Sequence, residues 1–503
     1  MRFSDTVLVL CKRVGCVKEA RQLVDQLSKK TFLIIDQGGH ASRAVVMDES
    51  GRPLAGAERA LETSRTEGGF VEHDPRELVR SLREALAEIA QKSGGSFEKI
   101  KAAGLATQRS SIVCWDKHTG EALSPVISWQ DTRARERIIQ LAHRAGEVHE
   151  RTGLFLSAHY GASKLAWCVD NIPEVKKALD AHRLCFGPMS SFLVWQLTAE
   201  KLFVSDPVSA SRTLLWNLHR KEWDSQLLEM FNLTSSALPV CVPTVHDFGN
   251  IKAGGRQIPL ALVTGDQSAA MYAYGKLQPE TAYMNIGTGA FVSRSLGQEP
   301  LLASGLLTSV IHQQDDVSEY VLEGTINGAG SAVQWLRTIH STEDLWEQMP
   351  GWLRTVEDPP LFLNGISGLG APFWVPDFVS GFVGNGQPHE KFVAVVESVI
   401  FLLHRNVVEM GFSLRGPERI QVTGGLAAQD GICQRIADLT RVPVYRPAQA
   451  EATVRGTCYL LAGRPDHWPE PAPGQWFEPG DGTPITQRYS RWLEEMEKRI
   501  NSK

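Results

Sequence analysis

Four short turns carry the residues best suited to chemistry. They are Asp36-Gln37-Gly38-Gly39, Gly265-Asp266-Gln267, Gly287-Thr288-Gly289 and Gly424-Gly425. Each follows a β-branched or apolar run: Thr31 to Ile35, Leu260 to Val263, Ala282 to Ile286 and Ile420 to Thr423. An acid placed just beyond a buried strand is well held and can face a cleft. Glycine lets backbone N–H groups approach phosphate oxygens with no Cβ in the way. Taken singly, each turn is ordinary. Taken together they suit phosphoryl transfer, which needs a phosphate cradle, a divalent metal and a residue to accept the acceptor's proton. The familiar nucleotide motifs are missing. There is no Gly-x-x-x-x-Gly-Lys-Ser/Thr loop and no protein-kinase set built on a catalytic His-Arg-Asp. Gly287-Thr288-Gly289 also lacks the third glycine of a dinucleotide fingerprint.

The elements that must position these turns are legible in outline. Thr31 to Ile35 and Arg43 to Met47 flank Asp36 to His40 as the two strands of a hairpin. Ala282 to Ile286 and Ala290 to Ser293 repeat that arrangement around Gly287-Thr288-Gly289. Two such hairpins, one opening each half, predict a duplicated α/β architecture. A helix over Ser268 to Tyr274 should close the first half. Another over Ala452 to Ala462 is stopped by Gly463 and Pro465. Val17 to Leu27 has helical apolar spacing and reads as a surface helix in an extension. Residues 464 to 486, rich in Pro and Gly, should wander over the surface, ahead of an amphipathic helix over Arg491 to Ile500.

Bulk properties narrow the class. The chain has 503 residues, 43% of them hydrophobic, enough for two packed domains. A net charge of -5, with signs mixed along the chain, offers no basic field for nucleic acid. No apolar run approaches the roughly 20 residues that span a bilayer. Val7 to Cys11 is too short for a secretory core. Eight cysteines stand singly, with no Cys-x-x-Cys pair, so disulfides or zinc have little support and a cytoplasmic location is expected.

The motifs, read in order, resemble the FGGY carbohydrate kinases and within them the glycerol kinase branch. They run DQGG to SRAVV at 36–46, TQR at 107–109, ISWQDTRA at 127–134, SDPVSASRTLLWNLH at 205–219 and GDQSAA at 265–270. They continue with NIGTGAF at 285–291, EGTINGAGSAVQWLR at 323–337, SGLGAPFW at 367–374, VTGGLA at 422–427 and EATVRG at 451–456. The resemblance implies two duplicated actin-like (ribonuclease H-like) ATPase domains with an interdomain cleft. The division expected is an extension at 1–30, a substrate and phosphate domain at 31–275, a nucleotide domain at 276–465 and a tail at 466–503.

It also implies an ATP- and Mg²⁺-dependent kinase acting on a hydroxyl of a small polyol, with glycerol the leading acceptor. Asp266 would be the general base and Gln267 would bind the substrate. Asp36 would hold the metal, since hard carboxylate oxygens suit a well-hydrated cation. Gly38, Gly39, His40 and Arg43 would face the phosphates from the first hairpin, with Gly287 and Thr288 from the second. Gly330 and Gln334 would lie beside the ribose and base, and Gly425 and Gln429 around the adenine. Arg109 would bind acceptor hydroxyls through its planar fork, with Trp129 and Phe291 as apolar walls and Ser110 and His159 also among the substrate-binding positions. Partners expected are the small polyol or sugar itself and copies of this chain in a homo-oligomer, with no nucleic acid and no membrane.

Four departures keep other readings open. Glycerol kinases carry Glu where Ser110 stands and Tyr where His159 stands. The family has Thr, Thr and Ser where this chain has Gly39, His40 and Ala41, and Asp at Thr423. Losing a hydrogen-bond partner in a buried polar site can change discrimination by orders of magnitude. A kinase for another polyol or a ketose, and a catalytically impaired ATP-binding regulator, therefore stand as alternatives.

Overall fold

The computed structural model describes residues 30–66, 68–340, 345–448 and 451–502. The helix expected over Val17 to Leu27 lies outside them. The first apolar run becomes β1 (Thr31–Gln37), buried at every position. A strand apolar on both faces belongs in the middle of a sheet covered on both sides. The turn closes when Gly38 N–H donates to the Ala41 carbonyl at 3.0 Å. The chain returns as β2 (Ala41–Asp48) and then β3 (Pro53–Ala60), each antiparallel to the one before. α1 (Pro75–Lys92) packs Leu78, Leu82, Ala85, Leu86 and Ile89 against them, one helical stripe. β4 (Ile100–Thr107) then joins parallel to β1.

Between β4 and the next sheet strands the chain makes a long excursion. It holds α2 (Gly161–Asn171) and contributes three strands of a five-stranded antiparallel sheet. It returns through β5 (Asn250–Ala253) and β6 (Arg256–Gly265), the latter parallel to β4. The first sheet is thus ordered β5-β6-β4-β1-β2-β3. The helix expected from Ser268 begins two residues earlier, as α3 (Asp266–Met271), and runs into a 3₁₀ turn at Tyr272–Tyr274.

The second half repeats the plan. β7 (Thr281–Ile286) and β8 (Ala290–Gly297) form the second hairpin. β9 (Leu307–Gln314) and β10 (Val317–Ile326) follow, and β10 pairs antiparallel with β8. Then come α4 (Gly330–His340), α5 (Pro388–Gly411), β11 (Arg419–Thr423), β12 (Val444–Arg446) and α6 (Ala452–Leu461). β13 (Gln475–Phe477) and α7 (Thr483–Asn501) finish the fold. The second sheet is ordered β9-β10-β8-β7-β11-β12-β13. Set side by side, β3-β2-β1-β4-β6 and β10-β8-β7-β11-β12 are the same five-strand topology: three antiparallel strands, then two added in parallel.

Two expectations need correction. Residues 464 to 486 do not simply wander: they bury Trp468 and supply β13, which caps the second sheet. The final helix starts at Thr483 rather than Arg491, because Pro484 in its first turn is pre-set for helical φ and has no N–H to lose. α6 has a less obvious position. Its Val454, Cys458, Tyr459 and Leu460 pack with Phe32, Ile34 and Leu262 of the first sheet and Ile311 and Val321 of the second. A helix from the second half therefore sits between the two sheets. Among the described residues, no helix is long and apolar enough to cross a membrane, and the six described cysteines are unbridged.

Candidate active site

Register gathers the first set of residues. In the parallel strands, Gln37 lies beside Thr107, and Thr107 beside Gly265. β1, β4 and β6 therefore end level. Asp36, next to last in β1, shares one sheet edge with the Gln108-Arg109-Ser110 turn and Asp266 that follow β4 and β6, the carboxyl end where α/β sheets bind ligands. In the second half Asn285 lies beside Thr423, so Gly287-Thr288 and Gly424-Gly425 share the equivalent edge.

Asp266 is half-buried as the first residue of α3, and Gln267 N–H donates to its Oδ1 at 2.7 Å. Burial raises its pKa against the pull of Arg109, the Gln267 N–H and Arg212. Asp36 is buried, and its carboxyl is pushed up to about 7, by burial first and then by the Asp266 charge. Arg43 Nη1 lies 3.7 Å from Asp36, but Arg43 also binds Glu58 at 2.5 Å and Glu451 at 3.1 Å. Arg43 is thus shared among three acids, one of them from the second half.

Arg109 is buried, with Nη1 donating to Ser268 Oγ at 3.4 Å and Nη2 to Gln267 Oε1. Its stem crosses β6 where only a glycine fits, since a Cβ on Gly265 would come 2.5 Å from Arg109 Cγ. Ser110 is held in the left-handed region at φ 64°, buried, with no partner for its Oγ. An unsatisfied buried hydroxyl beside Arg109 is what a ligand's own hydroxyl would complete. Trp129 is 36% exposed, and its ring lies 5.4 Å from that of His159. Burial, then Arg212, Lys164 and Arg109, hold His159 well below its ordinary pKa, so the imidazole is neutral. Phe291 lies on β8 opposite Asn285, half-buried, on the second hairpin.

The second edge is built from backbone. Gly330 N–H donates to the Gly287 carbonyl at 2.9 Å, and the Thr288 carbonyl accepts from Ala329 and Ser331. This staples the Gly287–Gly289 loop to the start of α4, leaving the Thr288 side chain exposed. Gly330 has to be glycine here, because a Cβ would lie 2.8 Å from the Gly287 carbonyl oxygen. Gly424 stands at φ 97° with space for a Cβ taken by Ile286, whereas Gly425 faces open space. Gln334 on α4 is exposed and Gln429 half-buried, and neither hydrogen-bonds the loop. Thr423 accepts from Asn285 Nδ2 at 3.0 Å and donates to the Met284 carbonyl, tying β11 to β7. In the first hairpin Gly38 and Gly39 are half-buried, while the His40 side chain points to solvent and its carbonyl accepts from Leu61.

The residues present fit a magnesium nucleotide. After burial, the Asp266 charge adds to the cost of ionising Asp36, a cost that a divalent cation would relieve. Among the described residues there is no cluster of three ligands, and Mg²⁺ held by one or two carboxylates, phosphates and water needs none. The glycine loops leave an edge that a Cβ would fill.

Sequence reasoning missed a buried ionic group joining the two halves. Arg212 donates to Ser309 Oγ at 2.9 Å and to Glu323 at 3.2 Å, and Glu323 lies 3.7 Å from Arg109. Burial alone would raise the Glu323 carboxyl, but Arg109 and Arg212 hold it below the usual range. Both residues fall inside motifs already noted. Their signal was a lone charge within a run of small and apolar residues. The second half also reaches Asp266 directly, as Thr453 Oγ1 on α6 donates to its carbonyl at 3.4 Å.

That contact sets a prediction. A Cβ on Gly456 would overlap the Ala269 carbonyl oxygen, one turn beyond Asp266. Gly456→Ala must push α6 off α3, and misplacement of a reacting group by about 1 Å can cost about 10²-fold in rate. Steady-state kinetics should show kcat falling by that order. A kcat within about threefold of the parent would mean the two helices separate without moving Asp266.

Comparison with known proteins agrees with this geometry. Residues 31–272 match the N-terminal domain of the FGGY family of carbohydrate kinases, and residues 282–463 match its C-terminal domain. A glycerol kinase of Xanthomonas campestris pv. campestris is 33% identical over 498 residues, 94% of this chain and 98% of that one. One from Shewanella frigidimarina is 33% identical over 86% of this chain and 89% of its own. Among solved structures, Plasmodium falciparum glycerol kinase with ADP superposes with a TM-score of 0.85 at 24% identity, covering 94% of this chain and 98% of that one. That last likeness speaks to the fold. With both of its domains matched in order along the chain, this protein belongs to the FGGY family of carbohydrate kinases.

Proposed function

We propose that the protein transfers phosphate from ATP to a hydroxyl of a small polyol, with glycerol, giving glycerol 3-phosphate, the leading acceptor. The observation that carries this reading is the level ending of β1, β4 and β6, which brings Asp36, Arg109 and Asp266 to one edge. Arg109 and Gln267 bind acceptor hydroxyls, and Trp129, His159 and Phe291 wall the carbon skeleton. Asp266 takes the proton of the attacking hydroxyl, and its raised pKa makes it a better proton acceptor than an ordinary carboxylate. Gly38, Gly39, Arg43, Gly287 and Thr288 face the phosphates. Gly330, Gln334, Gly425 and Gln429 receive the nucleoside. Asp36 would hold Mg²⁺, which when bound would supply charge neutralisation at the phosphates. Residues 31–275 and 276–465 act as the two domains, closing over the cleft to exclude water. The six described cysteines, none of them bridged, suit a cytoplasmic location.

A longer polyol or a ketose is the second reading, favoured by the unpartnered Ser110 hydroxyl and the neutral His159. Measuring ATP consumption with glycerol, tetritols, pentitols and ketoses separates these. Turnover with glycerol above the rest supports the first reading, and a preferred longer acceptor supports the second. No turnover with any would overturn both and leave an ATP-binding regulator.

A further inference from the structure

Lys164 is fully buried in the first turn of α2, and the reaction described above gives it no part. Its Nζ donates to the Ser128 carbonyl and to the His159 carbonyl, each at 2.7 Å. Both partners are backbone carbonyls rather than carboxylates. Burial pushes its pKa down to about 7, with Asp131 pulling it up and Arg133 pushing it down. A buried ammonium without a carboxylate partner is costly, and the positive end of a helix adds to that cost. Such a group is kept where its contacts matter.

The contacts single out the acceptor wall. Ser128 immediately precedes Trp129, whose N–H donates to Ser111 Oγ at 3.1 Å, next to Ser110. The other carbonyl is that of His159 itself. One side chain thus spans the two chain segments whose rings stand 5.4 Å apart. The geometry points to Lys164 as a positioning residue that bridges Ser128 and His159, fixes the spacing of the Trp129 and His159 rings, and so sets which polyols fit between Arg109 and that wall. This rests on reading the Arg109 group as a polyol site. Lysine suits the task because an ammonium has three N–H donors and a neutral amine two, so both forms satisfy the two carbonyls. The bridge therefore holds through neutral pH.

Lys164→Met keeps the apolar stem and removes the donors. The acceptor KM should rise about tenfold or more while the nucleotide KM stays within about twofold, and discrimination between glycerol and longer polyols should relax. A merely destabilised protein would lose active enzyme, lowering apparent kcat with both KM values intact. Acrylamide quenching of Trp129, taken as the difference between each protein and its Trp129→Phe counterpart, gives a reading that needs no turnover. It should increase in Lys164→Met. Lys164→Gln, which keeps one donor, should fall between, and it carries both readings if Lys164→Met does not fold. An acceptor KM and a Trp129 quenching constant both matching the parent would overturn the proposal. If the parent phosphorylates no polyol, the functional reading fails, and the quenching of Trp129 alone decides whether Lys164 positions that ring.

Discussion

Asp266→Asn lowers kcat by about 10²–10⁴-fold, the range a positioned general base contributes, and leaves nucleotide affinity unchanged to within about twofold. Asn keeps the shape of the side chain and its place at the start of α3. It also keeps an oxygen for the Gln267 N–H, which donates to Oδ1 at 2.7 Å. What it loses is the ability to take a proton. The loop of the second sheet edge is held by its own hydrogen bonds among Gly287, Thr288, Ala329, Gly330 and Ser331, none of which involves residue 266. Single-turnover kinetics with saturating acceptor should isolate the loss in the chemical step, and calorimetry with Mg²⁺–ATP should show binding preserved. The acceptor KM should change little, because Arg109 and Gln267 still bind hydroxyls. A variant with near-parental kcat would remove Asp266 from the proton transfer and leave orientation alone to account for the rate. A variant that lost nucleotide binding as well would instead place Asp266 at the metal beside Asp36.

That Asp266 was legible from sequence, and Lys164 and Glu323 were not, has a physical reason. A strand followed by a glycine and an acid is a local pattern. β6 ends at Gly265 because the apolar run ends there, and the acid has nowhere to go but the sheet edge. The paired hairpins were legible for the same reason: β1 with β2 and β7 with β8 are built from neighbours joined by short turns. Glu323 and Arg212 are 111 residues apart, on different halves, and meet only when the sheets are apposed. Lys164 reaches Ser128 across 36 residues and binds backbone, whose identity a sequence does not encode. β13 was hidden by its shortness: three residues among Pro and Gly carry no period, and only the open edge of β12 makes a strand of them. The family motifs picked out Trp129 and His159, whose rings stand together, whereas the neutrality of His159 comes from burial and from Arg212 and Lys164, which only the fold brings close.

Asp36→Asn should raise the stability of the ligand-free protein above pH 7 and abolish turnover. The carboxyl of Asp36 sits at about 7 in the fold, against an ordinary 3.8. The folded state therefore holds a proton that the unfolded chain gives up near pH 4. Folding is strongest below that point, and it weakens steadily as pH rises from about 4 to about 7, where the folded carboxyl also ionises. Holding Asp36 ionised therefore costs the free protein stability at pH 8, on the order of a few kcal/mol. Its first cause is burial and its second the Asp266 charge; Arg43, drawn also to Glu58 and Glu451, offsets only part. Asn has the shape of the protonated acid and no charge to bury. The melting temperature of Asp36→Asn should thus exceed that of the parent at pH 8, and the gap should close toward pH 4. Adding Mg²⁺ and ATP should reverse the order at pH 8, since only the parent has a carboxylate for the metal, and binding stabilises by mass action. A parent more stable than Asp36→Asn at pH 8 without ligand would show that Arg43 already satisfies the carboxylate, leaving no unmet charge for a cation. The expected result instead marks Asp36 as a site whose cost to the empty fold is what makes it a binding residue, the trade between stability and activity seen where function needs a strained group.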